Sequence, residues 1–292
     1  MISVCLQAGL GNRMFCYAFA LGLKAKGYDV YVDETSFHPR SFMTYEDIKL
    51  DKIFPQISFK PTPVGYFPFC FTKGRKGRLF RLLSTLLLSK KYIIESAFDF
   101  LPNIGDEITD KCCLIGLWQT SKYFDYCEDE VKRQFEFCPF DEEKNIQVAS
   151  KMKSENSVSI HVRKGNDYKD SLWNNTCPPD YYKKAIQYIK QQIPNPVFYV
   201  FTDNKEWVKE NILGIKYEII DWNPTQGSRN YRDMQLMSCA KHNIIANSSY
   251  SWWAAYLNPN PSKIVVAPSI WFSQDDKYYC NNKIVPEQWV KI

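Results

Sequence analysis

Short apolar runs and amphipathic stretches alternate through the second half of the chain. The apolar runs predict strands over residues 158–162, 197–202, 218–221, 243–246 and 263–267. The stretches between them predict helices over residues 180–192, 205–211, 232–241 and 251–257. Such alternation is typical of βαβ units, so the pattern predicts a parallel sheet with helices packed on it.

The first half opens in the same way. The pattern predicts a strand over 2–6, a Gly-Leu-Gly-Asn turn at 9–12, a helix over 14–26 that ends at Gly27, and a strand over 30–32. Residues 55–100 are harder to assign, because prolines, glycines and a basic run interrupt them. The charged stretch 141–156 is the best candidate for a domain boundary. We therefore predict an α/β fold with two Rossmann-like domains, residues 1–152 and 153–292.

Polar side chains gather where the predicted strand 158–162 ends. Ser159, His161 and Arg163 share one face of that strand, because side chains alternate with a period of two. Open α/β sheets bind ligands at the carboxyl ends of their strands. A guanidinium fork binds phosphate oxygens better than an ammonium group does. The pattern therefore predicts an anion site at Arg163.

A second candidate phosphate site follows the predicted strand 243–246. Ser248, Ser249 and Ser251 cluster near a helix N-terminus, where hydroxyl groups and free amides could bind a diphosphate. The alternative is ordinary N-capping by one serine. Capping needs one hydroxyl group, and three serines beside Asn247 exceed that need.

Three further features allow two interpretations each. The turn with Gly9 and Gly11 could approach a ligand closely, or it is only a tight turn, since the third glycine of the dinucleotide fingerprint is absent. Asp203 could bind a base or ribose, or cap the next helix. Glu95 lies in an apolar stretch, where burial would raise its pKa; the alternative is a surface carboxylate.

The composition limits which partners and which cellular compartment we expect for this protein. The net charge of +5 is too small to favour nucleic acid as a partner and is compatible with an anionic substrate such as a nucleotide sugar. The ten cysteines are scattered without a C-x-x-C pair. The N-terminus resembles a core strand rather than a signal peptide, and no apolar run is long enough for a membrane span. We therefore expect a cytoplasmic protein with free thiols.

The segment 73–91 combines basic residues with leucines. It holds seven Lys or Arg residues and no acid, and Leu82, Leu83, Leu86, Leu87 and Leu88 fall on roughly one helical face. This helix could make weak contact with an anionic membrane surface, which would place the protein on the inner face of the membrane. The alternative is a solvated helix that packs its leucines onto its own domain.

Four motifs, in order, resemble the bacterial alpha-1,2-fucosyltransferases of glycosyltransferase family eleven. Residues 9–18, GLGNRMFCYA, resemble the family's GLGNQMFQYA opening, and residues 116–124 are similar to its aromatic-glutamine segment. Residues 161–165, HVRKG, resemble the H-x-R-x-x-D motif of several fucosyltransferase families. Residues 242–253 are close to the C-terminal signature of the family.

This resemblance implies a fold and a reaction. The fold would be GT-B, with two Rossmann-like domains that face each other across a cleft, the nucleotide on the C-terminal one and the acceptor mostly on the N-terminal one. The donor would be GDP-fucose, transferred with inversion to the 2-hydroxyl of a terminal galactose in an oligosaccharide or glycolipid. No metal or other cofactor is expected, and the absence of a D-x-D sequence near the phosphate site agrees with this expectation.

The resemblance also implies roles for individual residues. Arg163 would bind the β-phosphate, His161 would orient Arg163 or its turn, and Asp203 would orient the nucleoside. Asn247, Ser248, Ser249 and Ser251 would hold the diphosphate and sugar. Trp118, Gln119 and Tyr123 would line the acceptor side, with stacking on a sugar face. The remaining candidates for substrate contact are Gly11, Asn12, Arg13, Glu95 and Asn166.

Two departures from the family motifs bear on the catalytic base. Asn166 stands where the motif has aspartate, and Asp167 follows it. Either the turn carries one extra residue and Asp167, the nominee for the base, takes over, or the carboxylate is dispensable. Arg13 replaces the usual glutamine. The open alternatives are a GT-B transferase for another nucleotide sugar and a catalytically silent carbohydrate- or nucleotide-binding protein.

Overall fold

The computed structural model describes residues 1–34, 48–67, 74–89, 91–95, 100–165, 176–273 and 283–292. The chain forms two compact units, Met1–Glu136 and Phe137–Ile292. The division lies sixteen residues before the predicted boundary after residue 152. Helix Glu143–Ser154 belongs to the second unit, since its Asn145 donates to Asn223 and its Lys151 pairs with Glu218.

The described part of the first unit contains a five-stranded parallel sheet. Its strands are β1 (Ile2–Cys5), β2 (Val30–Asp33), β3 (Lys60–Pro61), β4 (Lys91–Ile94) and β5 (Cys112–Ile115), in the order β3-β2-β1-β5-β4. Its helices are α1 (Leu10–Ala25), α2 (Leu50–Ile53), α3 (Gly74–Leu88), α4 (Ile104–Glu107) and α5 (Glu128–Gln134). Two 3₁₀ turns, Ser121–Tyr123 and Asp125–Cys127, precede α5.

Burial explains the composition of β1 and α1. Every residue of β1 is buried, and its one polar residue, Ser3, shares a 2.6 Å hydrogen bond with Thr62. Helix α1 is buried from Leu10 to Leu23 except for Asn12, which accounts for its nearly continuous apolar sequence. A Cβ atom at Gly22 would lie 2.1 Å from the Tyr123 carbonyl oxygen, so the close packing of this helix requires glycine there.

The described part of the second unit contains a six-stranded parallel sheet. Its strands are β6 (Ser157–Val162), β7 (Val197–Thr202), β8 (Tyr217–Ile220), β9 (His242–Ile244), β10 (Val265–Ala267) and β11 (Val290–Lys291). Its helices are α6 (Glu143–Ser154), α7 (Pro179–Gln192), α8 (Lys205–Asn211), α9 (Arg232–Cys239) and α10 (Ser249–Tyr256). The order β11-β10-β9-β6-β7-β8 is the Rossmann order, and it reverses between β6 and β9.

The prediction of an α/β fold with two Rossmann-like units is confirmed, and most predicted elements of the second unit are found within two residues of their bounds. Helix α1 begins at Leu10, four residues earlier than predicted. Strand β4 and helix α3 lie inside the segment 55–100, and α3 falls within the stretch 73–91 whose leucines were predicted on one helical face.

Helix α3 does not pack its leucines onto its own unit. Leu82, Leu86 and Leu87 are exposed by 56%, 70% and 77%, so the alternative of an inward leucine face is wrong. The described helices include none that combines the length and apolar character needed to cross a membrane.

Candidate active site

Three neighbouring strands of the second sheet carry predicted donor-binding residues at their carboxyl ends. Arg163 follows β6, Asp203 follows β7, and Ser248 lies four residues after β9. Strand β6 pairs with both β7 and β9, so the strand order reverses beside Arg163. Doubly wound sheets bind ligands at such a switch point. The topology therefore gathers these residues at one edge of the sheet.

Asp203 holds the turn that follows β6. Its Oδ1 accepts the Lys164 amide at 2.7 Å, and its Oδ2 accepts the Gly165 amide at 3.0 Å. Its Oδ2 also lies 2.9 Å from Nη1 of Arg163. The two side chains are 15% and 29% exposed, so water weakens this ion pair less than a surface pair. Asp203 thereby fixes both the turn and the guanidinium group.

The capping alternative for Asp203 is wrong. The N-cap of α8 is Asn204, whose Oδ1 accepts the Trp207 amide at 3.0 Å. Asn204 also donates through Nδ2 to the Lys164 carbonyl at 3.2 Å, so it supports the same turn. The described contacts of the Asp203 carboxylate are therefore with Arg163 and the turn after β6. Its contact with a nucleoside stays a prediction.

His161 and Lys164, at this edge of the sheet, both have pKa values below their ordinary ones. Burial, together with the nearby Arg163 charge, lowers the pKa of His161 to about 3, so its imidazole is neutral at pH 7. Its Nδ1 atom is buried with no hydrogen-bond partner among the described residues. Burial also lowers the pKa of Lys164, whose Nζ lies 5.2 Å from the centroid of the Trp207 ring. The predicted orienting role of His161 stays a prediction.

The serines at the start of α10 divide into two groups. Ser248 is the N-cap residue but makes no side-chain cap bond, and Ser248 and Ser249 are half-buried. Ser251 is fully buried and its hydroxyl donates to the carbonyls of Ala246 and Ser248, both at 3.4 Å. Ser251 is therefore a structural residue, contrary to the prediction, while the hydroxyls of Ser248 and Ser249 remain candidates for a ligand.

Asn247 is also structural in the described contacts. It is 2% exposed, its Nδ2 donates to the Trp271 carbonyl at 3.0 Å, and its Oδ1 lies 3.5 Å from the Cys177 sulfur. These bonds connect the end of β9 to the segment after β10. The predicted contact of this side chain with the diphosphate is therefore replaced by a role in holding the loop.

Two side chains near this edge were not found from the sequence. The Tyr250 ring lies 5.9 Å from the His161 ring, and its hydroxyl accepts the Met234 amide at 2.8 Å and donates to the Asn230 carbonyl. Asp233 accepts a 2.8 Å bond from Asn223, and burial raises the pKa of Asp233 to about 6. The only sequence signal for Asp233 was an acid in the first turn of α9, which is common in helices.

In the first unit, the loops after β1 and β5 meet through side-chain amides. Nε2 of Gln119 donates to Oδ1 of Asn12 at 2.6 Å, and Nε2 of Gln7 donates to the Gly116 carbonyl at 3.2 Å. Strands β1 and β5 are neighbours, so the predicted residues Gly11, Asn12 and Gln119 lie at one edge of this sheet. Their contact with an acceptor stays a prediction.

Arg13 does not offer a cation beside the glycine turn. It is 3% exposed, its Nε donates to the Ala8 carbonyl at 3.0 Å, and its Nη1 donates to the Ile48 carbonyl. Ala8 has a φ of 57°, a left-handed conformation that is unfavourable for alanine. The predicted substrate contact is therefore wrong for Arg13, which instead stabilises the strained turn.

Glu95 pins the loop after β5 instead of lying at the surface. Its Oε2 accepts the Leu117 amide at 2.6 Å, and its Oε1 accepts the Trp118 amide at 3.1 Å. A Cβ atom at Gly116 would lie 2.5 Å from that of Glu95, so the close approach requires glycine. Burial raises the pKa of Glu95 to about 7, against the lowering effect of the two amides. The surface alternative is therefore wrong.

Trp118 and Tyr123 belong to the core. Trp118 is fully buried and stacks on Phe19 with a centroid distance of 4.4 Å. Tyr123 is 5% exposed, and its hydroxyl accepts the Leu101 amide at 2.9 Å. Neither ring has a free face for a sugar, so the predicted stacking on the acceptor is wrong for both residues.

Asn166 and Asp167 lie outside the described residues. The nomination of Asp167 as base therefore stays a prediction. Among the residues that the structure describes, no group of three or more His, Cys, Asp or Glu side chains is arranged to hold a metal ion.

Comparison with known families and proteins adds evidence independent of this geometry. The model of the family described as Glycosyl transferase family 11 matches residues 91–292. An Alpha-1,2-colitosyltransferase of Escherichia coli is 32% identical over 98% of this chain and 97% of its own length. The O-antigen biosynthesis glycosyltransferase WbnK of Escherichia coli is 30% identical over 99% of both chains. Galactoside alpha-(1,2)-fucosyltransferase 1 of Ateles belzebuth is 29% identical over 34% of this chain and 28% of its own.

Two solved structures align with most of this chain at low sequence identity. NodZ alpha-1,6-fucosyltransferase soaked with GDP-fucose aligns over 89% of this chain and 96% of its own, with 13% identity and a TM-score of 0.48. POFUT1 in complex with GDP aligns over 91% of this chain and 97% of its own, with 10% identity and a TM-score of 0.46.

Proposed function

The chain belongs to glycosyl transferase family 11, and from that membership we propose that it transfers L-fucose from GDP-fucose to the 2-hydroxyl of a terminal galactose. The product would carry the inverted anomeric configuration, and no metal would be needed. The observation that carries this proposal is the Arg163–Asp203 pair at the switch point of the second sheet.

The geometry around Arg163 suits a leaving diphosphate. The acceptor oxygen forms a bond to the anomeric carbon while the bond from that carbon to the phosphate oxygen breaks, and the electron pair of the broken bond stays on GDP. Negative charge therefore grows on the β-phosphate in the transition state. A guanidinium group held by Asp203 can stabilise that charge without first having to reorient.

The other phosphate contacts would come from the start of α10. The hydroxyls of Ser248 and Ser249 and the first amides of the helix can donate to anionic oxygens. The proton of the acceptor hydroxyl would pass to a carboxylate, for which Asp167 is the nominee. Asn12 and Gln119 are the candidates for acceptor contact in the first unit.

A second donor deserves a test because a colitosyltransferase is a full-length relative. Colitose is L-fucose without its 3-hydroxyl group. A site that hydrogen-bonds this hydroxyl group strongly rejects the deoxy sugar, whereas a site that leaves it in solvent accepts both sugars. The donor preference therefore reports on polar contacts around the sugar.

The experiment is a donor competition on the full-length protein. GDP-fucose and GDP-colitose are supplied separately and together with a galactose-terminated oligosaccharide, and GDP release and product are measured. We expect a fucosylated product whose linkage to the galactose 2-hydroxyl is visible by NMR. A preference for GDP-colitose would identify colitose, and not fucose, as the sugar transferred. Binding of GDP without product formation would favour the alternative of a catalytically silent binding protein.

A further inference from the structure

Helix α3 exposes apolar side chains, whereas a helix that only packs on its own unit would bury them. Among the helix positions whose burial is described, the buried ones are Gly77 and Ser84, which are seven residues apart. The Ser84 hydroxyl lies 3.2 Å from the Tyr92 hydroxyl on β4. The side that faces the sheet is therefore small and polar. The apolar side faces outward, which reverses the usual arrangement of an amphipathic helix on a domain.

The outward side is a continuous apolar stripe. At 3.6 residues per turn, Leu79, Leu82, Leu83 and Leu86 fall within a sector of about 100° opposite Gly77 and Ser84. These four leucines are 54%, 56%, 40% and 70% exposed. Phe80, Leu87 and Leu88 extend the exposed apolar area, with exposures of 40%, 77% and 50%. Exposed leucines concentrated on one helix mark an interaction surface.

The charges of the helix indicate the chemistry of the partner. Arg75, Lys76 and Arg78 lie at its N-terminal end and are exposed, and its first turn contains no acid. The helix dipole places positive charge at that end, so three cations there are unfavourable in an isolated helix. An anionic surface would stabilise both the cations and the dipole.

We propose that helix α3 docks on an anionic phospholipid bilayer, with its leucines in the interface and its basic end on the lipid phosphates. The combination of an apolar stripe and basic residues without acids is the chemistry of interfacial helices. This inference is independent of the identity of the donor sugar. It places the first unit against a membrane surface.

The test measures partitioning of the full-length protein onto vesicles by co-sedimentation. One set of vesicles is phosphatidylcholine, and the other is phosphatidylcholine with phosphatidylglycerol. We expect binding to the anionic vesicles, at least about tenfold weaker binding to the neutral ones, and weakening by salt. The variant L82S/L86S should lose binding by about tenfold or more, because it removes two apolar anchors.

Two controls keep the result specific. Leu213 is 71% exposed in the second unit, so L213S should bind vesicles like the wild type. Circular dichroism and turnover of a soluble acceptor should be unchanged in L82S/L86S, since both leucines are exposed. Light scattering on the wild type and L82S/L86S reports whether the stripe instead joins two copies.

Three outcomes would overturn the proposal. Wild-type protein that ignores anionic vesicles, or binds both kinds equally, would exclude an anionic bilayer as the partner. Full binding by L82S/L86S would exclude the leucine stripe as the anchor. A wild-type dimer that L82S/L86S converts to a monomer, with no change in vesicle binding, would identify the stripe as an interface between copies.

Discussion

At the scale of single residues, Arg163 depends on Asp203 for its position. Lysine keeps the charge but cannot form the planar fork, and it would not reproduce the 2.9 Å contact from Nη1 to Asp203. We expect Arg163→Lys to lower kcat by about 100-fold or more, measured as transfer from the proposed donor, GDP-fucose, at saturating concentration. Arg133→Lys is the matched control, because Arg133 forms an exposed ion pair on α5.

A double-mutant cycle separates positioning from direct contact. Asp203→Asn retains one of the two acceptor oxygens of the turn and removes the charge that holds the guanidinium group. If Asp203 acts through Arg163, the losses in Arg163→Lys and Asp203→Asn are less than additive in the double variant. Additive losses, or wild-type turnover in Arg163→Lys, would contradict the assignment.

Glu95 should make the stability of the protein depend on pH. Because folding raises its pKa from the ordinary 4.5 to about 7, the folded protein binds this proton more tightly than the unfolded chain. The free energy of unfolding therefore falls as pH rises from about 4.5 to about 7, by about 3 kcal/mol from this group. Above that range the contribution no longer changes with pH.

Glu95→Gln tests this linkage, since an amide oxygen can still accept from the Leu117 and Trp118 amides. Urea denaturation of the full chain at pH 5.0 and 7.5 should show a smaller difference in the free energy of unfolding for this variant. Glu210→Gln, at an exposed position on α8, should keep the wild-type difference. An unchanged difference in Glu95→Gln would contradict the raised pKa.

At the scale of elements, prediction succeeded where apolar periodicity was strong. Strand β7 and helix α8 have the predicted bounds, because an apolar run and an amphipathic stretch stand side by side. Helix α1 was predicted to begin too late, since Gly11 and Asn12 are weak helix formers that suggested a turn. Burial of the first turn of the helix outweighs that local preference.

A variant at the start of α10 can test whether Ser248 binds the ligand or only caps the helix. Ser248 is the N-cap residue without a side-chain cap bond, so Ser248→Ala should leave the thermal midpoint unchanged. If its hydroxyl binds the diphosphate, affinity for GDP should fall by about tenfold, measured by calorimetry. Asn204→Ala is the contrasting variant, because Asn204 does cap α8, and it should lose about 1 kcal/mol of stability. A destabilised Ser248→Ala with unchanged GDP affinity would identify Ser248 as a cap only.

At the scale of the whole molecule, strand order decides which residues meet. Periodicity predicts strands but not their neighbours, and only the Rossmann order places Arg163 beside Asp203 and the start of α10. A sequence motif identifies residue types, but it does not predict the direction in which each side chain points. Trp118, Tyr123, Asn247 and Ser251 matched family motifs, yet their side chains point into the core. The residues that follow β6 and β7 could therefore be placed from the sequence, whereas the directions of these four side chains could not.

Positive charge in the candidate site of the second unit leads us to predict that transfer does not require a metal ion. A diphosphate leaving group needs positive charge, and Arg163, Lys164 and the first amides of α10 can supply it from the protein. We therefore expect initial rates of transfer in excess EDTA to equal those in added Mg²⁺ or Mn²⁺. The same assay on Arg163→Lys tests the cause, since a metal that carried the leaving charge would leave this variant active. Loss of wild-type activity in EDTA, restored by either cation, would show that the protein charges alone do not stabilise the diphosphate.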